Sequence, residues 1–500
     1  MRNYLVLALF MFISFLYIYA INGIEYSEPD TGHYLVLAKS LSMGNGYRQV
    51  SHPDNHFEKQ YLPVYPILLV PIFWLSNGDY YVARLITVFF SVLTLPIIYL
   101  ISKKFFEYRL ALCSAILMAL SPMFVIYSRK ILTDIPYLFF FLTFILLIYQ
   151  YQNSKEKKYF LFSILFLILL LFTRIVGIVV LAVILLYSII KKQTRDIVIL
   201  GIVLLFFVLY LFYTNNYWLN PMSDFGEFGP KSEGIVSTEF GRILLERFIG
   251  YFFYFIPLNL VSLLNIPIYL YDTSISFQSP IISVNNLVLV LGGLTSTVAI
   301  YGLYLSAKKN LRLFEIITII YTVSVIIEHR VTGNGRYMLP ILLFFIIYFI
   351  IGLKNIGFFN RRIKHIYIYE LILMLLIFSS LGSSILLSIK NHNSLNPETT
   401  ENYIAISRWI SKNTPDDAVI IVSNPQFMYL YSNRKAVEFP GSFSHTEGYI
   451  YKYNSSYIVL AGYYDENTNI EYKKQLESDI NKFKKRYSLN DQYVIYEVLK

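Results

Sequence analysis

The chain holds a single cysteine, Cys113, and three tryptophans among 500 residues, and charged side chains make up no more than 15% of it. One thiol inside an apolar run excludes an intramolecular disulfide and a cysteine-built zinc site, and leaves the redox compartment open. The scarcity of charge, with 56% hydrophobic residues and a mean hydropathy of +0.52, excludes a soluble globular protein. Tandem repeats, a dinucleotide-binding GxGxxG and a P-loop lysine are absent too. What is abundant is ring surface: 45 Tyr and 40 Phe suit bilayer interfaces and the contacts between helices. This is the composition of a polytopic membrane protein, with the lipid bilayer as its first partner.

Apolar segments of spanning or near-spanning length fall at residues 4–21, 81–101, 110–127, 135–151, 159–173, 175–190, 196–213, 284–306, 314–328, 337–353 and 367–389, about eleven in all. The first is read as an uncleaved helix, because YIYAING is a poor cleavage site. The formal charge of +10 is not spread evenly: residues 390–500 carry 13 basic and 13 acidic side chains, so the excess sits in the membrane part. There it forms clusters, Lys103/Lys104/Arg109, Lys155/Lys157/Lys158, Lys191/Lys192/Arg195, Lys308/Lys309/Arg312 and Lys354/Arg361/Arg362/Lys364. Short basic loops are retained in the cytoplasm, and a cytoplasmic N-terminus puts every one of these clusters there. The expectation is a multi-pass protein of the plasma membrane with an extracytoplasmic C-terminus. Basic residues confined to short linkers do not build a nucleic-acid surface, so no nucleic-acid partner is expected.

Two outer segments, 22–80 and 214–283, are too long to be plain connectors, and their proline-broken apolar stretches read as interfacial helices. From residue 390 the pattern changes. AVIIVSN, YIVLAG and YVIYEVL have strand length, while ENYIAISRWISKN and EYKKQLESDINKFKKR read as helices. The fold class is therefore a polytopic α-helical membrane protein of about eleven transmembrane helices with a small C-terminal α/β extracytoplasmic domain. The domains are a membrane module at 1–389, including both outer segments, and a soluble domain at 390–500.

Ionisable residues gather at three places on the expected outer face: Glu25, Glu28, Asp30, Glu58 and Lys59; Arg129, Lys130 and Asp134; and Glu328, His329, Arg330 and Arg336. Charges beside apolar spans are costly unless paired or solvated, so both signs together point to a polar cavity for an anionic ligand. Moving a sugar from a lipid-linked phosphate to a hydroxyl needs this combination. A carboxylate removes the acceptor's proton, and cations stabilise the departing phosphate, arginine with a planar fork. A divalent ion held by carboxylates is an optional aid. Plainer roles exist. Asp30 and Asp134 can cap helices, and Lys59, Arg129 and Lys130 can anchor to headgroups. His33, His52, His56 and His329 read as surface or hydrogen-bonding groups more than as metal ligands.

The runs EPDTGHYLVLAKSLSMGNGY, FEKQYLPVYP, YSRKILTDIP, FTRIVGI and GNGRYMLP, in that order, resemble the protein O-mannosyltransferase and aminoarabinose transferase group of GT-C glycosyltransferases. Members of that group use polyprenyl-phosphate sugar donors. The resemblance covers roughly residues 1–350 in layout. It implies Asp30 as catalytic base, with Glu58, Lys59, Arg129, Asp134, Arg336 and Tyr337 in the donor and phosphate site, and Glu28, Tyr65, Arg174 and His329 in support. The implied partners are a polyprenyl-phosphate-linked sugar donor and a hydroxyl acceptor. A metal (Mg, Mn or Zn) stays open, with Asp30, Asp134 and Glu58 as its candidate ligands. One departure stands out: many relatives carry an adjacent acidic pair in the first loop, whereas Glu28 and Asp30 here flank Pro29.

Two other classes compete with the enzyme. A lipid or sugar transporter or flippase places ionisable groups near the bilayer midplane and often shows matching halves, neither of which is seen. A non-catalytic membrane assembly subunit would use the tail as its binding module. For an enzyme, the tail is expected to seat the acceptor or to steady the outer loops.

Overall fold

The computed structural model describes residues 2–19, 21, 29–76, 78–214, 248, 252, 286–328, 335–363, 366–393, 397–440, 443–461, 466–490 and 492–499. The chain divides into two compact units, Met1–Ile21 with Arg84–Asn391, and Asn22–Ala83 with His392–Lys500. The domain boundary drawn from the sequence near residue 390 assigned segment 22–80 to the membrane module. In the structure that segment groups with the C-terminal domain.

The described helices begin with α1 (Arg2–Tyr19), α2 (Pro29–Ser42), α3 (Val64–Ser76), α4 (Tyr80–Ser102), α5 (Tyr108–Ala119), α6 (Pro122–Tyr127) and α7 (Asp134–Ser154). They continue with α8 (Lys157–Leu171), α9 (Gly177–Ile190), α10 (Thr194–Tyr213), α11 (Asn286–Lys309), α12 (Leu313–Glu328), α13 (Leu339–Asn355) and α14 (Ile368–Asn393). Helix thus occupies most of every expected span. Among the described residues, five helices are long and apolar enough to cross a membrane: Tyr80–Ser102, Asp134–Ser154, Thr194–Tyr213, Arg336–Asn355 and Ile368–Ile389. Shorter apolar helices fill other expected spans. The stretch at 110–127 is two helices, not one. Pro122 at the first position of α6 holds Ser121 in an extended conformation, ψ 137°, and the Ser121 hydroxyl accepts the Phe124 amide. The interfacial segment expected around residues 248–264 lies outside the described residues apart from residues 248 and 252.

In the first unit α13 is buried along nearly its whole length. Its crossing with α11 depends on two glycines. A Cβ at Gly302 would lie 1.8 Å from the Tyr348 carbonyl oxygen, and one at Gly352 would lie 2.1 Å from the Val298 carbonyl oxygen. Only hydrogen on these Cα atoms lets the backbones touch, the close approach by which helices pack in lipid. At one end of the unit, buried Glu315 accepts hydrogen bonds from Ser306 Oγ (2.7 Å), the Arg312 amide (2.9 Å) and the Arg312 guanidinium (2.9 Å). Neighbouring Phe314 packs on Tyr149 near the C-terminal end of α7. Asp134 starts the same helix, about 22 Å away at the α-helical rise of 1.5 Å per residue.

The second unit contains the C-terminal sheet domain. A two-stranded hairpin of the first unit, β1 (Arg362–Ile363) and β2 (Ile366–Tyr367), precedes it in the chain. The domain's own elements are α15 (Pro397–Asn413), β3 (Val419–Val422), α16 (Pro425–Ser432), β4 (Lys435–Val437), α17 (Thr446–Tyr453), β5 (Tyr457–Ala461), α18 (Glu466–Ser478), β6 (Phe483–Asn490) and β7 (Tyr493–Val498). The sheet order is β4-β3-β5-β7-β6: the first three strands are parallel, and β7 and β6 are antiparallel. Ile421, Val437, Ile458, Leu460, Leu476, Val494 and Tyr496 form its core. The three strands read from the sequence are β3, β5 and β7. The run FKKR, read as the end of a helix, is instead part of edge strand β6, with Lys484, Lys485 and Arg486 exposed. Lysine on an edge strand discourages pairing with a second chain, so a basic run can be strand without alternating apolar residues.

Segment 22–83 is bound to this domain by several contacts. Gly32 of α2 abuts α16 so closely that a Cβ there would lie 2.8 Å from Gln426 Cβ. Lys39 Nζ reaches Asn433 Oδ1 (3.2 Å) and sits 4.4 Å from the Tyr429 ring centroid. The Ala436 amide of β4 donates to the Ser51 carbonyl (2.8 Å), and Tyr80 stacks on Phe427 and Tyr431. Helix α3 exposes Ile67, Trp74 and Leu75, an apolar face of the kind a bilayer surface covers.

Candidate active site

Within the second unit, α2 and the loop at 43–63 bring four polar side chains and a set of rings together. Asp30 lies in the first turn of α2, partly exposed, and its Oδ1 accepts a hydrogen bond from the Tyr61 hydroxyl at 2.9 Å. The Tyr61 ring stacks on His33, one helical turn after Asp30, with centroids 4.7 Å apart. It also meets Tyr34 edge-on, and Tyr34 in turn meets Tyr65. Burial and the Asp30 carboxylate push the Tyr61 hydroxyl well above the usual phenol range, so it stays a donor.

Glu58 is buried, and its carboxylate accepts from the Gln49 side-chain amide, from the Gln60 amide (2.6 Å) and from the Tyr61 amide (3.1 Å). The same Gln49 NH₂ lies 3.0 Å from His33 Nδ1. Because a carboxylate accepts only, the Gln49 amide must turn its nitrogen toward Glu58, and its second hydrogen then points at His33 Nδ1. That nitrogen is therefore an acceptor, and the imidazole is neutral with its proton on Nε2. Burial lowers the His33 pKa in the same sense, against the opposing pull of Glu58 and Asp30. Lys59 is exposed.

In the first unit a second cluster forms where α7 begins. Asp134 is 2% exposed and ion-paired with Arg174 of the α8–α9 turn. The Arg174 guanidinium lies 4.6 Å from the Tyr337 ring centroid and 5.9 Å from that of Tyr137. Tyr337 belongs to a 3₁₀ turn, Gly335–Met338, and the neighbouring Arg336 guanidinium is 5.5 Å from the same ring. Asp134 Oδ2 is buried with no hydrogen-bond partner among the described residues. Arg129, in the turn before α7, is buried as well.

The structure therefore joins Asp134, Arg174, Arg336 and Tyr337 in one place, and Asp30, Glu58 and the Tyr34–Tyr65 pair in another. Glu28 and His329 lie outside the described residues. Tyr61, His33 and Gln49 were not expected as site residues. Tyr61 is in the quoted run FEKQYLPVYP, so the signal was present, whereas nothing in the sequence marks Gln49. Of the candidate metal ligands, Glu58 is engaged by N–H donors and Asp134 by a guanidinium, and a cation fits neither environment. Among the described residues no three His, Cys, Asp or Glu side chains are grouped to hold a metal ion.

A family model described as dolichyl-phosphate-mannose-protein mannosyltransferase matches residues 51–218, a range that includes Glu58, Lys59, Arg129, Asp134 and Arg174. The crystal structure of ArnT from Cupriavidus metallidurans bound to undecaprenyl phosphate aligns with 99% of this chain and 97% of its own, with a TM-score of 0.60 at 12% identity. The chain has the fold of ArnT. The apo form of the same ArnT also matches, over 98% of this chain and 97% of its own, again with a TM-score of 0.60 and 12% identity. No curated protein matches by sequence. At that identity the likeness shows the fold alone, and the mannosyltransferase match is confined to residues 51–218.

Proposed function

We propose that this protein is an integral membrane glycosyltransferase that moves a sugar from a polyprenyl-phosphate carrier to a hydroxyl on the outer face. The undecaprenyl phosphate bound to the similarly folded ArnT supports that choice of carrier. The single observation that carries the catalytic assignment is Asp30, a partly exposed carboxylate held by a neutral hydroxyl at the start of a helix. Its Oδ atoms take the acceptor's proton as the acceptor oxygen bonds to the anomeric carbon. The bond from that carbon to the phosphate oxygen breaks, the configuration inverts, and both electrons leave with the phosphate. Lys59, exposed in the same unit as Asp30, is proposed to neutralise the leaving phosphate. No step is routed through a metal, since two of the three candidate carboxylates are already engaged.

The N-terminus is assigned to the cytoplasm and the C-terminal domain to the outside, on the strength of the basic loops. The test is reconstitution in proteoliposomes with a polyprenyl-phosphate sugar and a pool of hydroxyl acceptors. Native protein should form a glycosidic product and Asp30→Asn should not, at equal expression. Full transfer by Asp30→Asn, or substrate counterflow with no glycosidic product, overturns the reading.

A further inference from the structure

Resting on that reading, we propose that Tyr61 is the positioning residue for the Asp30 carboxylate, and that Glu58 acts through Gln49 and His33 to hold Tyr61 in place. One chain of contacts within a single unit links these side chains. Tyr61 donates to Asp30 Oδ1 at 2.9 Å, which restricts rotation of the carboxylate about its side-chain bonds. The phenol itself has three supports: its ring lies flat on His33, its edge meets Tyr34, and its backbone amide donates to Glu58 Oε1 at 3.1 Å. Its carbonyl accepts from the Tyr47 hydroxyl at 2.9 Å, which fixes the peptide on the other side of the same residue.

Glu58 organises the whole arrangement. One of its oxygens takes the backbone amides of Gln60 and Tyr61, and the other takes the Gln49 side chain, whose remaining hydrogen is directed at His33 Nδ1. His33 is thereby held in one tautomer and one ring orientation beneath Tyr61. The acidic residue expected in the donor site is thus a hub of the loop that delivers a hydroxyl to the base. A protonated His33 would present an N–H to the Gln49 NH₂, and the stack would lose its support. The titratable groups around the pair are His33, His56, Glu58 and Tyr34.

A hydroxyl bonded to a carboxylate stabilises its charged form and fixes its direction, so removing the hydroxyl has two separable effects. In Tyr61→Phe the ring stack survives. Plateau kcat should fall about tenfold, and the acid limb of the pH–kcat profile should move up by about one pH unit, the scale of a charge-assisted hydrogen bond. KM for the lipid donor and the Tm should hold. Should the Phe variant lose thermal stability, 3,5-difluorotyrosine at position 61 keeps the ring and strengthens the donor, and the limb should then move down. A limb that stays in place in the variant used, with kcat within about twofold of native, overturns the proposal. So does a limb that vanishes in His33→Gln, since it would belong to the imidazole. Failure of the underlying reading looks different, because Asp30→Asn would then remain active.

Discussion

Asp30 and Asp134 both stand in the first turn of a helix beside tyrosine rings, yet the protein treats them in opposite ways. Asp134 is almost fully buried and ion-paired with Arg174, whose guanidinium faces Tyr337. Asp30 is partly exposed and held by the hydroxyl of Tyr61. A guanidinium pairs its carboxylate with a full opposite charge, while a phenol orients the carboxylate through a single hydrogen bond. On the proposed function the contrast separates a base from a fixed charge, and it predicts that the two residues fail in different assays.

The largest effect is expected at Asp30. Asp30→Asn should lower turnover by about 10²- to 10⁴-fold, the span attributed to a positioned general base, with little change in Tm. Parallel transfer assays and thermal unfolding in detergent check both halves, and an equal loss of stability would remove the distinction from Asp134. At Asp134 the expected loss is in stability. Asp134→Asn leaves the Arg174 cation without its partner in a nearly closed site, at a cost of about 3–5 kcal/mol. Replacing both members, Asp134→Asn with Arg174→Met, should recover most of that stability, since the penalty comes from the stranded charge. A single variant as stable as the native protein would show that the pair is solvated and that the comparison fails.

A smaller control lies in the helix crossing of the first unit. Gly352→Ala forces a methyl group toward the Val298 carbonyl oxygen and should cost about 1–3 kcal/mol by overpacking. The acid limb assigned to Asp30 should not move. If it does, the limb reports on packing in the first unit, and its assignment to Asp30 fails.

The membrane helices were legible because each is an apolar run bounded by charge or proline, a signal that survives without any tertiary information. The break at Ser121 and Pro122 was legible in principle as well, since a proline dictates the conformation of the residue before it. The strand at Phe483–Asn490 was not, because its lysines face solvent on an edge and carry no alternation. Nor was the grouping of segment 22–83 with the C-terminal domain. That grouping depends on Gly32 lacking a Cβ opposite Gln426 and on a backbone bond from Ala436 to Ser51, and neither leaves a trace in composition. In the candidate site, Asp30 and Asp134 could be singled out by type and place. The partner that distinguishes them could not, because Tyr61 lies 31 residues from Asp30 and Arg174 lies 40 from Asp134.

The smallest expected effect is a pH dependence confined to the unit that holds Asp30. Burial lowers the pKa of His33 in the folded protein from its ordinary value of 6.5, and burial and neighbouring His56 do the same to His52. Between the folded and unfolded values the unfolded chain binds more protons, so stability rises with pH through that interval. The contribution is complete above pH 6.5 and is lost as pH falls below it. Thermal unfolding followed from about pH 7.5 to about pH 5.5 should therefore show a falling Tm, with a shallower slope in His33→Gln and a shallower one again when His52→Gln is added. His33→Gln retains an acceptor for the Gln49 amide but loses the stack on Tyr61, so each variant's slope is referred to its own Tm at the upper pH. A native slope unaltered by both substitutions would mean that the acid sensitivity comes from the carboxylates, with Glu58 the first to examine because three N–H donors depend on its charge.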